Sequence, residues 1–314
     1  MPKHLSSMLK NVERVTHIHG LHDSARKIYR CVRWSKAARS LKYLLTVSRV
    51  IPFRISNLVI STGQACSYKC RDCGNFAPYS PSKFMRYSFE ELSGWMTMLA
   101  ESVDSIRIVQ IQGGEPFLYS ELGKLIQFLR ELRMGGGGTI TDIDIATNGT
   151  ILPNDEPASI IKSNGVNVRI SDYNITPHKT RQLVSFLQEH EIHYRMYLFA
   201  GENGRWFNCG GVNTGDYDAV DGRALRRRYE SCAFKGCLTL ERGQLARCSR
   251  GNNAPEIQGF TAGEGDYLVL GDYKNASERR KALMRYCCFP RYMEACRYCN
   301  GTDTSNMVDA AIQI

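Results

Sequence analysis

Three cysteines crowd one short loop, Cys66, Cys70 and Cys73, in the run Cys66-Ser67-Tyr68-Lys69-Cys70-Arg71-Asp72-Cys73. Spaced C-x3-C-x2-C, they can give thiolates to three irons of a cubane [4Fe-4S] cluster, which normally takes four protein ligands. One iron then stays open to bind something else, so such a cluster is built for chemistry. A structural zinc site is the alternative. Closed zinc sites take four ligands and usually pair two C-x2-C-like hooks, and no fourth Cys or His follows nearby.

A second set lies in the last third of the chain. Cys232 is followed by Gly243 and Cys248, and Cys296-Arg297-Tyr298-Cys299 makes a C-x2-C hook before Asn300-Gly301. Four thiolates close a second metal site. Between Cys232 and Cys248, Leu238 and Leu240 alternate before Arg242-Gly243, a β-hairpin pattern. Five cysteines remain: Cys31, Cys209, Cys237, Cys287 and Cys288. Free Cys usually behaves as a small apolar residue, but Cys237 could displace Cys232 as a ligand, and Cys287 or Cys288 could serve as one. Twelve cysteines in a chain expected to stay in the cytosol argue for metal ligation over disulfides.

The first triplet follows a strand-like run, Ile55-Ser56-Asn57-Leu58-Val59-Ile60, and precedes Gly113-Gly114-Glu115-Pro116 at the end of another. In these motifs and their order the chain resembles the radical S-adenosylmethionine (SAM) enzymes. The resemblance implies that the open iron chelates the amino and carboxylate groups of SAM. An electron from the cluster then cleaves the sulfonium to a 5'-deoxyadenosyl radical, which takes a hydrogen atom from substrate carbon. A reductant such as flavodoxin or ferredoxin would supply that electron. Gly113, Gly114, Glu115 and Pro116 would hold the methionyl amine, with Glu115 as its acceptor. The family often carries an aromatic residue just before the third cysteine; this chain has Asp72, so Phe76 or Tyr79 would pack on the adenine instead. Asn148, Ser171 and Asp172 would contact the SAM carboxylate or ribose, although each also suits a plain turn or cap, and Asp172 and Tyr173 could face substrate.

The second cysteine set is similar to the short auxiliary-cluster extension of that family, the Twitch form, rather than to the longer SPASM form. It implies one auxiliary [4Fe-4S] cluster on Cys232, Cys248, Cys296 and Cys299, with zinc as the alternative occupant. An auxiliary cluster can accept an electron from a substrate radical, giving dehydrogenation; a thiol can instead return a hydrogen atom, giving epimerisation, and Cys209 and Cys237 are the candidate donors. The implied substrates are small and carbohydrate-like: a sugar, an aminocyclitol or a nucleotide- or lipid-linked sugar. Modification of ribosomal peptides is the rival reading, and a non-catalytic iron-sulfur or zinc-binding protein is the reading of another class.

The elements needed to position these residues follow from residue 54 onward as alternating strand and helix signals, the pattern of a parallel α/β sheet. Strands are expected at 55–61, 105–112, 142–147, 166–171 and 192–199, and helices at 88–101, 119–133, 156–164 and 177–190. The second helix stops at four glycines, Gly135 to Gly138. With a sixth strand before or within the cysteine-rich end, this is a partial (β/α)6 barrel. Barrel sites gather at the C-terminal ends of strands, where the cysteine loop, Gly113 to Pro116, Thr147-Asn148-Gly149 and Ser171-Asp172 all fall. The expected units are a basic helical extension over 1–53, the barrel over 54–230 and an auxiliary-cluster domain over 231–314.

Length fits such an assembly, since 314 residues with 43% hydrophobic content can bury a large interior. The formal net charge of +10 arises entirely in residues 1–54, which hold twelve Lys and Arg against two acids. Ala37, Ala38, Leu41, Leu44 and Leu45 recur there at helical spacing, with Lys36, Arg39 and Lys42 on the other side. Such a basic amphipathic helix can lie on an anionic membrane surface, dock on an acidic partner or a phosphorylated substrate, or pack its apolar stripe on the barrel; nucleic acid is disfavoured. His4, His17, His19 and His22 lack a Cys or acid to complete a metal pattern. No apolar run approaches the about 20 residues that span a bilayer, so the expected location is cytoplasmic, at most peripheral to the inner face of the membrane.

Overall fold

The computed structural model describes residues 36–176, 178–201, 204–217, 221–289 and 291–314. Cys31, the four N-terminal histidines and most of the basic extension lie outside the described residues. Five parallel strands, β1 (Arg54–Ser61), β2 (Ser105–Gln112), β3 (Ile140–Thr147), β4 (Asn167–Asp172) and β5 (Tyr194–Leu198), alternate with α2 (Phe89–Ala100), α3 (Leu122–Glu131), α4 (Asp155–Ser163) and α5 (Thr180–Glu189). A helix α1 (Lys36–Val47) precedes them.

Side chains alternate across these strands. Leu58 and Ile60 of β1, Val109 and Ile111 of β2, Ile143 and Ile145 of β3, and Val168 and Ile170 of β4 are buried on one face. There they meet Leu92, Met96 and Leu99 of α2, Leu125, Ile126 and Leu129 of α3, and Leu183 and Leu187 of α5. Each such side chain stabilises the fold by roughly 1.5–3 kcal/mol. The opposite face carries Asn57, Gln110, Gln112, Arg169 and Ser171 and lines a cavity. One wall of the sheet is thus core and the other is site.

The expected sixth parallel strand lies within the cysteine-rich end, but it closes on the far side of the sheet. β7 (Leu238–Glu241) runs parallel to β1, not beside β5, and β8 (Gln244–Ala246) and β9 (Tyr267–Val269) continue antiparallel, giving the order β5-β4-β3-β2-β1-β7-β8-β9. The fold is a mixed α/β, partial-barrel arrangement with a cysteine-rich C-terminal part built on the β1 edge. The β7–β8 hairpin turns at Arg242-Gly243 as expected, with Arg242 left-handed at φ 54°. Two-residue hairpins require that conformation, and Arg242 is held in it by Asn253 Oδ1 at 3.0 Å and by the Asn252 carbonyl. A short strand β6 (Arg205–Phe207) pairs antiparallel with β10 (Met307–Asp309).

Helix starts follow their caps. The Ser88 hydroxyl accepts from Glu91 N–H at 3.2 Å while Glu91 accepts from Ser88 N–H at 2.8 Å, a capping box that fixes α2. The cysteine-rich part adds α6 (Gly222–Ser231), α7 (Ser249–Gln258) and α8 (Ala276–Cys288). α8 is pinned to the barrel by Arg280, whose guanidinium meets Asp104 at 2.6 and 3.0 Å, and by Arg279, 3.1 Å from Glu101. α1 packs on α8, with the Tyr43 and Phe289 ring centres 5.6 Å apart. Its expected apolar stripe is not the buried side: Leu41 and Leu44 are 57% and 61% exposed, because Tyr43 and Thr46 take the inward positions. No helix of the described residues is long and apolar enough to cross a membrane.

Burial alone would raise the Asp104 carboxyl, but the Arg280 guanidinium and the Phe53 N–H hold it below its ordinary 3.8. Its contribution is therefore complete above that value and lost as pH falls through the lower folded value. Asp104→Asn leaves Arg280 buried without its counter-charge and is expected to cost about 3–5 kcal/mol, read as a fall in urea midpoint at neutral pH. An unchanged midpoint contradicts this role.

Candidate functional site

The polar face of the sheet and the C-terminal ends of its strands border one cavity of about 720 Å³. Cys66, Cys70 and Cys73 line it, and so do Cys209, Cys232, Cys237, Cys248, Cys296 and Cys299. Both cysteine sets therefore open on one space. Cys287 and Cys288 lie on α8, outside that wall, and Cys287 packs against the main core.

The first loop leaves β1 and is laced to the loop after β2. Gly114 N–H donates to Gly63 O and Glu115 N–H to Ala65 O, both at 2.8 Å. A Cβ on Gly114 would sit 2.2 Å from Ala65 O, and Gly113 has φ +151° with its Cβ position 2.3 Å from Gly63 O. Side chains have no room there, which is the physical content of the paired glycines. The residues 312–314 strap the same loop: Arg71 N–H donates to Ile312 O at 2.8 Å, Ile314 N–H to Lys69 O at 3.0 Å, and Gln313 accepts from Lys69 N–H at 2.8 Å. Gln313 Nε2 also lies 3.3 Å from Cys70 Sγ, and Asn148 Nδ2 lies 3.5 Å from Cys66 Sγ. Amide donors aimed at sulfur are what cluster thiolates accept.

Burial pushes the Cys66 thiol up to about 12 and Cys70 to about 11, and it raises Cys73 as well. These thiols stay protonated unless a positive charge displaces the proton, as a metal does. Among the described residues no three Cys, His, Asp or Glu side chains are placed to hold a single metal ion. Three thiols on one cavity wall, two of them faced by amide N–H donors, are a donor set that three irons of a cubane can take.

In the second set, Cys232 ends α6, Cys248 begins α7, and Cys296 and Cys299 belong to the short turn Glu294–Tyr298 and its end. Burial raises the Cys248 thiol to about 12 and Cys296 further, and the neighbouring sulfurs of Cys299 and Cys232 add to both. Cys209 belongs here too. Its thiol donates to Cys299, which holds Cys299 below the ordinary thiol range and Cys209 above it. Cys237 borders the cavity nearer Arg169 and Cys232.

Other predicted residues fall in three places. Gly113, Gly114, Asn148, Ser171 and Tyr173 line the cavity. Glu115 is 2% exposed and already engaged: it accepts from Thr147 Oγ1 at 2.8 Å, Asn148 N–H at 2.8 Å and Phe117 N–H at 3.1 Å. Pro116 starts the buried turn behind it, and Asp172 caps the Asn174 N–H at 2.8 Å. Phe76 does not border the cavity. It is left-handed at φ 62°, 1% exposed, and packed with Ala254, Met293 and Ala295, its ring 4.1 Å from the Arg250 guanidinium. Tyr79 packs on the same small cluster.

Sequence reasoning passed over Arg250. It is 5% exposed, donates to Tyr298 O at 3.1 Å, and its charge lowers Cys73 of one set and Cys209 and Cys299 of the other. Its position two residues after Cys248 was the only available signal. Gln313 had none, since its contact with Cys70 spans nearly the whole chain.

Residues 60–203 match the family described as the Radical SAM superfamily. Among solved structures, BtrN in complex with AdoMet and 2-DOIA aligns over 82% of this chain and 97% of that one, at 14% identity and TM-score 0.46. Native anSMEcpe with bound AdoMet and Kp18Cys peptide aligns over 83% and 93%, at 15% identity and TM-score 0.45. SuiB of Streptococcus suis bound to S-adenosylmethionine aligns over 93% and 85%, at 12% identity and TM-score 0.40. No curated protein sequence matches the chain.

Burial raises the Glu115 carboxyl from 4.5 to about 7, against the pull of its three donors. The folded state then binds the proton more tightly than the unfolded chain, so stability falls as pH rises between those values and levels off above them. Glu115→Gln should remove that slope and cost about 1–3 kcal/mol by facing an N–H group toward buried donors. Urea unfolding of the metal-free protein from about pH 5 to about pH 8 measures both, and an unaltered slope contradicts the assignment.

Proposed function

We propose, from the match of residues 60–203 to the Radical SAM superfamily, that the chain is an enzyme that abstracts a carbon-bound hydrogen from a small carbohydrate-like substrate, ending in epimerisation or dehydrogenation. One observation carries the reading: two cysteine sets and a hydrogen-bonding sheet face open on the same cavity. Cys66, Cys70 and Cys73 would hold a cluster whose chemistry is one-electron reductive cleavage of the SAM sulfonium, the source of the hydrogen-abstracting radical.

The chain's own residues do the rest. Asn148 and Gln313 donate N–H groups to Cys66 and Cys70 and steady the negative sulfurs. The backbone of Gly113 and Gly114 borders the space beside them, open to the methionyl amine, while Glu115 holds that backbone from behind by gripping Thr147 and Asn148. Ser171 and Asn148 offer polar groups to the carboxylate and ribose. Cys232, Cys248, Cys296 and Cys299 hold the auxiliary cluster. Asn57, Gln110 and Gln112 give the inner wall the donors and acceptors a polyhydroxylated substrate needs.

Of the two candidate hydrogen donors, Cys209 is occupied by Cys299 and by Gly301 O at 3.7 Å. Cys237 faces the cavity and is the donor for an inversion: the hydrogen atom on its sulfur passes to the substrate carbon, and the thiyl radical left behind regains one electron from the external reductant and one proton from solvent. A peptide substrate is the second reading. β5 pairs only with β4 among the described residues, and Met196 and Leu198 on it are 51% and 53% exposed, an edge to which an extended peptide could add.

Anaerobically reconstituted protein given SAM and dithionite should form 5'-deoxyadenosine, Cys66→Ala should form none, and Cys296→Ala should retain about half the wild-type iron, as expected for two cubanes. Full iron in Cys296→Ala, or deoxyadenosine from Cys66→Ala, contradicts the assignment. With a turning-over substrate in heavy water, inversion through Cys237 places one deuterium on carbon and Cys237→Ala abolishes it; loss of two hydrogens without uptake identifies dehydrogenation.

A further inference from the structure

The cavity wall is strongly cationic. Arg169, Arg205, Arg228, Lys235 and Arg250 border it, against a single acid, Asp72, which is bonded to Arg71 at 3.0 Å. Four of the five cations are already committed. Arg205 pairs with Asp309 at 3.6 Å and donates to Met307 O at 2.7 Å; Arg228 donates to Cys296 O at 2.9 Å; Lys235 donates to Glu230 O; and Arg250 donates to Tyr298 O and lies over Phe76. Arg169 is different. It projects from the middle of β4 on the cavity face, is half-buried, and among the described residues makes no side-chain hydrogen bond or ion pair.

The carboxylate and the glutamine amides on its side of the sheet are engaged elsewhere. Asp144 is on the neighbouring strand, one rung below, and is engaged with Asn167 at 3.1 Å. Gln110 and Gln112 bond each other at 2.6 Å. Cys237 is the thiol within reach of its charge, and across the wall Asn57 Oδ1 is a buried acceptor without a partner, open to a hydroxyl of the same molecule. A half-buried guanidinium facing the cavity with no partner among the described residues has its five N–H donors free, and they match an oxyanion in a two-pronged pairing.

We propose that Arg169 is the anchor for an anionic oxygen group of the substrate, a phosphate ester or a carboxylate, seated on the inner wall of the sheet between Asn57 and Cys237. This rests on the enzyme reading above and narrows it: the molecule whose carbon loses hydrogen is an acid, not a neutral sugar. Arg169 holds the charged end, and the rest of the molecule extends toward the glycine loop. The basic groups fixed elsewhere in the wall deepen the positive potential that draws such a molecule in.

The test is calorimetric titration of the reconstituted, SAM-loaded protein, without reductant, using inorganic phosphate in one arm and acetate in the other. One or both should bind, Arg169→Gln should weaken that binding at least about ten-fold, a loss of one charge-assisted pair, and Arg181→Gln, an exposed change on α5, should leave it alone. The arm that binds names the group. Arg169→Lys keeps the charge but loses the fork, so it should bind between the two. Failure of both anions to bind wild-type protein, equal binding by Arg169→Gln, or, should that variant not fold, wild-type affinity in Arg169→Lys, overturns the proposal. Since no SAM cleavage is read, absence of deoxyadenosine in the separate assay would defeat the enzyme reading and leave anion binding at Arg169 measured in its own right.

Discussion

Burial raises the thiols of Cys66, Cys70 and Cys73, and a metal centre brought among them would displace their protons. The rest of the structure serves that condition. β1 delivers the loop, the paired glycines after β2 let its backbone approach without a side chain between, and the 312–314 strap closes over Cys70 from the far end of the chain. Glu115, which the motif presents as a ligand contact, works from inside: its carboxylate ties the ends of β2 and β3 together beneath the cysteine loop.

The two cysteine sets are coupled through one strut. Phe76 follows Cys73 by three residues, Arg250 follows Cys248 by two, and the guanidinium lies on the ring. A cation–π contact removed from water is worth about 2 kcal/mol or more. The Arg250 charge also lowers Cys73 of one set and Cys209 and Cys299 of the other. β7 continues the sheet on the β1 edge, and Cys248 of the second set follows its hairpin partner β8.

Much of this was legible in the residues, and the exceptions have physical reasons. Period-2 alternation, the Ser88 cap and the Arg242-Gly243 turn are local signals, and strands, helix and hairpin stand where those signals put them. The first cysteine set shows in spacing because its three thiols share one loop, and the structure brings those three and Cys232, Cys248, Cys296 and Cys299 to the border of one cavity. What spacing could not carry was long-range placement. The Phe76 ring is turned from the cavity by a left-handed backbone, Cys209 is drawn to Cys299 by folding of a distant turn, and β7 pairs with β1 across nearly two hundred residues. On α1, helical periodicity found the helix, but Leu41 and Leu44 face outward because the packing partner, α8, accepts Tyr43 instead.

The central claim is that Cys66, Cys70 and Cys73 present an iron with a vacant coordination position. Electron paramagnetic resonance of the reduced Cys296→Ala/Cys299→Ala protein, in which the first cluster alone remains, tests it directly. The account predicts a [4Fe-4S]⁺ signal whose shape changes when SAM is added; a signal indifferent to SAM, or a reconstituted site that holds zinc and gives no signal, contradicts it.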